Sequence, residues 1–192
     1  MRNVVRLVAL VIFSTATARA ADQAKLLVKV DPLPVALSDD FQFRKTKLFS
    51  LGERPTAETL TSSTGKKKQT GGTGSGANAA VAEASLNFES HYRLFGAVTG
   101  LDRRERSGDY FDFFWRAKRN ADLTARFEYR QEKLRAFVQA REIRYPNARG
   151  NHKSEFAIVG DDFYDDGRVI AWRCLLVENG RIVAENRSYL WR

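Results

Sequence analysis

From Leu86 onward the chain alternates between apolar and polar positions. Leu86, Phe88, Ser90, Tyr92 and Leu94 interleave with Asn87, Glu89, His91 and Arg93, a period of two that predicts a half-buried strand. Residues 110–117 repeat the pattern in a strongly aromatic run, with Phe111, Phe113 and Trp115 on one face. Leu123, Ala125, Phe127 and Tyr129 then alternate with Thr124, Arg126, Glu128 and Arg130. The charged stretch 101–108 and the Asn120-Ala121-Asp122 triplet separate these runs and predict turns. Residues 133–145 fit two periods, since Leu134, Phe137, Val138 and Arg141 have helical spacing while Leu134, Ala136, Val138 and Ala140 alternate. The strand reading is preferred because both neighbours are strand-like. A loop at 146–151, a short strand at 156–160 and an acidic loop at 161–167 complete this region.

The last quarter carries the clearest local signal. Two β-rich runs flank Asn179-Gly180, the dipeptide that a type I′ hairpin turn requires because both central residues take positive φ. A regular two-residue turn sets Trp172 opposite Arg187, Ile170 opposite Tyr189 and Arg168 opposite Trp191. Arg168, Trp172, Arg187, Tyr189 and Trp191 then share one face, a cation–π ladder that is either packing or a ligand surface. Val169, Leu175, Val177, Ile182 and Leu190 form the aliphatic face, expected against the core.

The N-terminal region divides by composition. Arg2 and Arg6, the apolar run 7–13 and Ala18-Arg19-Ala20 form the three parts of a secretory signal peptide over residues 1–20. Residues 21–51 hold two candidate edge strands, at 26–30 and 41–51, the first ended by Asp31-Pro32 and Leu33-Pro34. Residues 52–80, rich in Gly, Ser, Thr and Lys, read as a disordered linker. The domain proper is expected over 81–192.

Seven or eight short strands without a βαβ alternation predict an all-β fold, an antiparallel β-sandwich. Asp166-Gly167, followed by Trp172-Arg173-Cys174, resembles the corner of strand F in immunoglobulin domains, with Trp172 where those domains carry tyrosine. The resemblance implies an immunoglobulin-like or fibronectin type III-like sandwich, covers only the last third of the chain, and implies no particular function.

Composition narrows the chemistry. Thirteen Phe, six Tyr and three Trp supply a substantial core. The formal charge of +9 falls to +6 when the signal peptide takes away three arginines. Export to the periplasm or the exterior argues against nucleic acid and for a protein or an anionic envelope polymer as partner. No further run is long enough to span a membrane. Cys174 is the single cysteine, so no internal disulfide forms, and its mid-strand position predicts a buried hydrophobe. Asp161, Asp162, Asp165 and Asp166 are the candidate metal ligands, for calcium, although an EF-hand spacing is missing. His91 and His152 are the only histidines, no nucleophile elbow is present, and no cofactor motif appears. The sequence thus predicts an exported, non-catalytic binding or adaptor protein of the cell envelope. Its alternatives are an assembly protein that exchanges its N-terminal strand and a hydrolase built on paired carboxylates.

Overall fold

A computed structural model describes residues 24–27, 29–52 and 88–191. The expected signal peptide and all of the expected linker except Gly52 lie outside the described residues. The strands are β1 (Lys25–Leu27), β2 (Phe41–Leu51), β3 (Gly108–Gln131), β4 (Gln139–Val159), β5 (Val169–Glu178) and β6 (Arg181–Arg187). The helices are α1 (residues 88–94), α2 (Gly100–Arg106) and α3 (Asp161–Asp166). The strands form one open antiparallel sheet in the order β1-β4-β3-β5-β6, with β2 also paired to β3. The expected all-β, antiparallel architecture is what forms.

The sheet is built on β3. Its first half pairs with β2 on one side and its second half with β5 on that same side, while β4 runs along the other side of both. Phe111 and Phe127 are sixteen residues apart in this strand, a span of about 50 Å if straight. Their rings lie 4.7 Å apart. The strand therefore doubles back. The corner falls where the β3–β4 register shifts, at residues 117–123, opposite Pro146, Asn147 (φ 49°) and Gly150 (φ 85°). The Asp122 carboxylate accepts the Asn147 N–H there, at 2.7 Å. Between the two halves lies the aromatic core, in which Phe111, Phe113, Trp115, Phe127, Tyr129 and Phe156 are buried.

The N-terminal residues strap the outside of the second half. β1 pairs with residues 140–142 of β4, Leu33 covers a second apolar cluster of Leu175, Val177 and Ile182, and residues 34–38 bond to the edge of β6. The chain then turns into β2, whose bounds match the expected second strand. Asp109 fastens the junction of three strands: its carboxylate accepts from Ser50 on β2 and from the backbone N–H of Val169 on β5.

Several sequence-based expectations are corrected. The alternating run 86–94 is helical where described, at 88–94. The Glu89–Arg93 ion pair, four residues apart in sequence with its charged atoms 3.5 Å apart, belongs to a helix face. Residues 100–106 form α2, with Thr99 and Asp102 in a reciprocal capping box, rather than a turn. The two strands expected at 110–117 and 123–130 are one, and the loop expected at 146–151 lies within β4. The strand preferred at 133–145 begins at Gln139. The acidic loop is α3.

The Asn179-Gly180 turn forms with both residues at positive φ, 49° and 73°. A bulge between Leu176 and Val177 nonetheless shifts the expected register by one, so Arg187 faces Arg173 and not Trp172. A one-residue slip moves side chains to the opposite face. Trp172 packs into the aromatic core, 5.3 Å from Phe113. The main core thus lies on the Trp172, Cys174 and Leu176 side. The aliphatic side forms the smaller cluster under Leu33, and Leu190 is exposed.

Candidate functional site

The five residues expected to share a ligand surface are not brought together. Trp191 is buried beneath the guanidinium groups of Arg130 and Arg173, 4.7 and 5.1 Å from its ring. Arg187 lies on the sheet face that carries Arg173, while Trp172 points to the core behind it. Arg168 pairs with Glu132 at 3.4 Å at the start of β5, and Tyr189 is exposed in the final turn. What this face carries instead is an ion ladder. Glu142 on β4 accepts from Arg126 on β3 at 2.6 Å, and Arg173 on β5 donates to the buried Glu128 on β3 at 2.7 Å. Such a network fixes register more than it offers a site.

The four aspartates expected to bind calcium are spread along α3. Asp161 pairs with Arg104 of α2 at 3.1 Å, and Asp162 with Arg141 of β4. Lys133 and the buried Gln131 hold the helix backbone, at Tyr164 and at Asp162 and Gly167 respectively. Arginine side chains thus supply the compensation that the crowded carboxylates need. Among the described residues, no group of three or more His, Cys, Asp or Glu side chains stands close enough to hold a metal ion.

Groups that could do nucleophilic chemistry are engaged in packing. Cys174 is buried and its thiol is pushed well above the usual range by desolvation. Ser154 is buried with its Oγ accepting from Trp115 Nε1 at 2.9 Å and from the Tyr145 hydroxyl at 2.8 Å. His152 stacks on Trp115 at 4.5 Å and bonds the Arg149 carbonyl.

Comparison with family models, with curated proteins and with solved structures gives no match.

The outer face of β2, β3 and β4 is the most distinctive surface. Side chains alternate along β3, so Tyr110, Asp112, Phe114 and Arg116 point away from the core that holds Phe111, Phe113 and Trp115. In the ladder Phe114 is flanked by Lys45 on β2 and Lys153 on β4, and Asp112 by Lys47 and Glu155. The Lys47 and Lys153 ammonium groups stand 6.0 and 5.7 Å from the Phe114 ring centre. Lys153 is 3.0 Å from the buried Asp112 and also pairs with Glu155. Burial pulls its pKa down, but these two carboxylates outweigh that effect and hold it above the ordinary lysine value. Lys45, Lys47 and Arg116 are exposed, with no ion pair among the described residues. The face is a cationic apron around an aromatic ring.

At one end of this apron sits α1. Its Arg93 lies flat on Tyr110, 4.0 Å from the ring centre, and 5.8 Å from the centre of Phe49. Carboxylates of Glu89 and Asp112 approach it at 3.5 and 3.8 Å. A trough of about 270 Å³, walled by Lys45, Lys47, Phe49 and Arg93 and also by the carboxylates of Glu89 and Asp112, links helix and apron. Burial raises the Tyr110 hydroxyl pKa, against the opposing pull of Arg93 and Arg106. A larger hollow, about 610 Å³, opens at the seam between β2 and β6, but its walls mix Asp39, Arg44, Lys45 and Glu185 and favour neither sign of charge. The sequence signal for the apron is that Lys45 and Lys47 share their period-two positions with Phe49, while the bulge after Phe43, which turns Phe43 to the core, carries no sequence mark.

Proposed function

We propose that this protein is an exported, non-catalytic binding module of the cell envelope that recognises an anionic polymer through the outer face of β2, β3 and β4. The observation that carries this reading is the Phe114 ring framed by Lys45, Lys47 and Lys153, with Lys45, Lys47 and Arg116 in no ion pair among the described residues. Unpaired cations beside an aromatic surface favour anions that also offer apolar or ring faces. The engaged states of Cys174, Ser154 and His152 support a binding role over catalysis. In this reading the two apposed halves of the β3–β4 hairpin act as the layers of an immunoglobulin-like sandwich, and the signal peptide directs the chain out of the cytoplasm.

The test is binding of the full chain to a soluble polyanion, dextran sulfate, over a range of salt. Affinity is expected to fall as salt rises and to be largely lost in the Lys45→Glu/Lys47→Glu variant. Equal binding by that variant overturns the reading.

A second reading, assembly by exchange of the N-terminal strand, is favoured by the place of β1 at the edge of the sheet, where it makes three residue pairs with β4 among the described residues. Light scattering on chains with and without residues 21–27 separates the two. Self-association that disappears with those residues supports exchange.

A further inference from the structure

Five large apolar side chains stand exposed within residues 88–101, on α1, α2 and the connection between them: Phe88, Tyr92, Phe95, Val98 and Leu101. Each is at least 65% exposed. Scattered exposed apolar residues are ordinary, whereas a contiguous group marks an interaction site. The Phe88 and Tyr92 rings are stacked. The segment is anchored from beneath, so the display is held in place. Arg93 seals α1 onto Tyr110, Arg106 donates to the Phe95 carbonyl, and the capping box of Thr99 and Asp102 fixes the start of α2. Asp102 also accepts from the backbone N–H of Val98 and of Thr99, which absorbs its charge locally.

Cations surround this apolar knuckle. Between Tyr92, Phe95 and Tyr110 opens a hollow of about 460 Å³ whose walls include the guanidinium groups of Arg93 and Arg106. Arg93 Nε is buried there without a hydrogen bond among the described residues, and its carboxylate neighbours stand at ion-pair range only. α2 ends in Arg103, Arg104 and Arg106, with Glu105 as its exposed carboxylate. On the same outer face, across the trough beside Arg93, begins the apron of Lys45, Lys47 and Lys153.

We propose that this knuckle docks on an anionic lipid bilayer, seating Phe95, Val98 and their neighbours among the acyl chains while the apron lies on the headgroups. The inference rests on reading the β2–β3–β4 face as an anion-binding surface, and it makes a membrane the source of those anions. Apolar insertion flanked by cations is how peripheral segments hold to charged membranes, and neither element suffices alone. Aromatic rings suit the headgroup boundary because one end is apolar and the other tolerates water.

The experiment is sedimentation of the full chain with vesicles of phosphatidylglycerol and phosphatidylcholine, against phosphatidylcholine alone, with dextran sulfate as the soluble comparison. Wild type is expected to bind only the anionic vesicles, and less as salt rises. Phe95→Ser/Val98→Ser is expected to lose about tenfold or more in vesicle affinity while keeping its dextran sulfate affinity and its melting temperature, since both side chains are exposed. Phe95→Trp is expected to shift its emission to the blue on anionic vesicles and to be quenched by brominated acyl chains. Dextran sulfate binding without vesicle binding overturns the inference and leaves the polyanion reading standing. Failure of both overturns both. Undiminished vesicle binding by the double Ser variant also overturns the inference. So does self-association that this variant abolishes without any vesicle binding, because a second copy of the chain is then the occupant.

Discussion

The Tyr145 hydroxyl donates to Ser154 Oγ at 2.8 Å, although nine residues of a single strand separate them. A straight strand would hold them about 30 Å apart. The bond therefore spans the corner at which β3 and β4 fold over, and the buried Ser154 also takes the Trp115 indole N–H. Ser154→Ala strands the buried indole N–H, while the Tyr145 hydroxyl keeps the Lys153 carbonyl at 3.1 Å, and it is expected to cost about 2 kcal/mol in urea unfolding. Tyr145→Phe leaves the indole bond intact and is expected to cost about 1 kcal/mol. Equal costs for the two would show that the corner does not depend on Ser154.

Glu128 is almost fully buried, with Arg173 at 2.7 Å and Arg126 at 3.8 Å. Truncation to Ala leaves two guanidinium groups short of a carboxylate, although Arg126 keeps Glu142 and Arg173 stays within 3.9 Å of Glu185. The expected cost is about 3 kcal/mol. Replacing Glu128 and Arg173 together by Leu and Met is expected to restore most of that loss, measured by the same unfolding curves.

Gly108 opens β3 at φ 153°, and a Cβ there would stand 2.1 Å from the Ile158 carbonyl oxygen. The obstacle is backbone, so no rotamer change relieves it. Gly108→Ala is expected to destabilise by more than about 2 kcal/mol. Gly180→Ala has open space around its Cβ and carries only the strain of its positive φ, about 1 kcal/mol.

Because desolvation raises the Cys174 thiol far above its usual value, the thiolate is absent from the folded protein at neutral pH. Iodoacetamide is expected to leave the native chain unmodified and to alkylate it once urea unfolds it. Rapid labelling of the native chain would mean that the strand opens.

What the sequence made legible was local. Asn179-Gly180 dictated its own turn, and the alternation of Phe111, Phe113 and Trp115 identified an inward face that the core confirms. Both are properties of neighbouring residues. The bulge after Leu176 has no such signature, and together with the end of β6 at Arg187 it breaks the expected ladder of Arg168, Trp172, Arg187, Tyr189 and Trp191. The corner in β3 resembled a turn because Asn120 and Asp122 are turn residues. Only pairing with β4 on both sides of it joins the two runs into one strand. Along 88–94, period two and period 3.6 coincide at Phe88 and Tyr92, and the Glu89–Arg93 spacing was the evidence for a helix. The apron was hidden for a related reason, since Lys45, Lys47, Phe114 and Lys153 come from three strands and meet only through long-range pairing.

The strap formed by residues 24–38 has a consequence for the order of events in synthesis. Its partners are β4, β5 and β6, and the bonds from residues 34–38 to Ile182 and Val183 join positions about 145 residues apart. A chain made from its N-terminus holds these residues first and can seat them last. β2 finds its partner once β3 emerges, but until the final hairpin follows Leu33 has nothing to cover. Such non-local closure makes folding slow and leaves early segments uncovered in the interval. β5 and β6 thus act as the receiver for residues 33–38, and a chain cut before β6 keeps β1 on β4 but has no edge for residues 34–38 to bond.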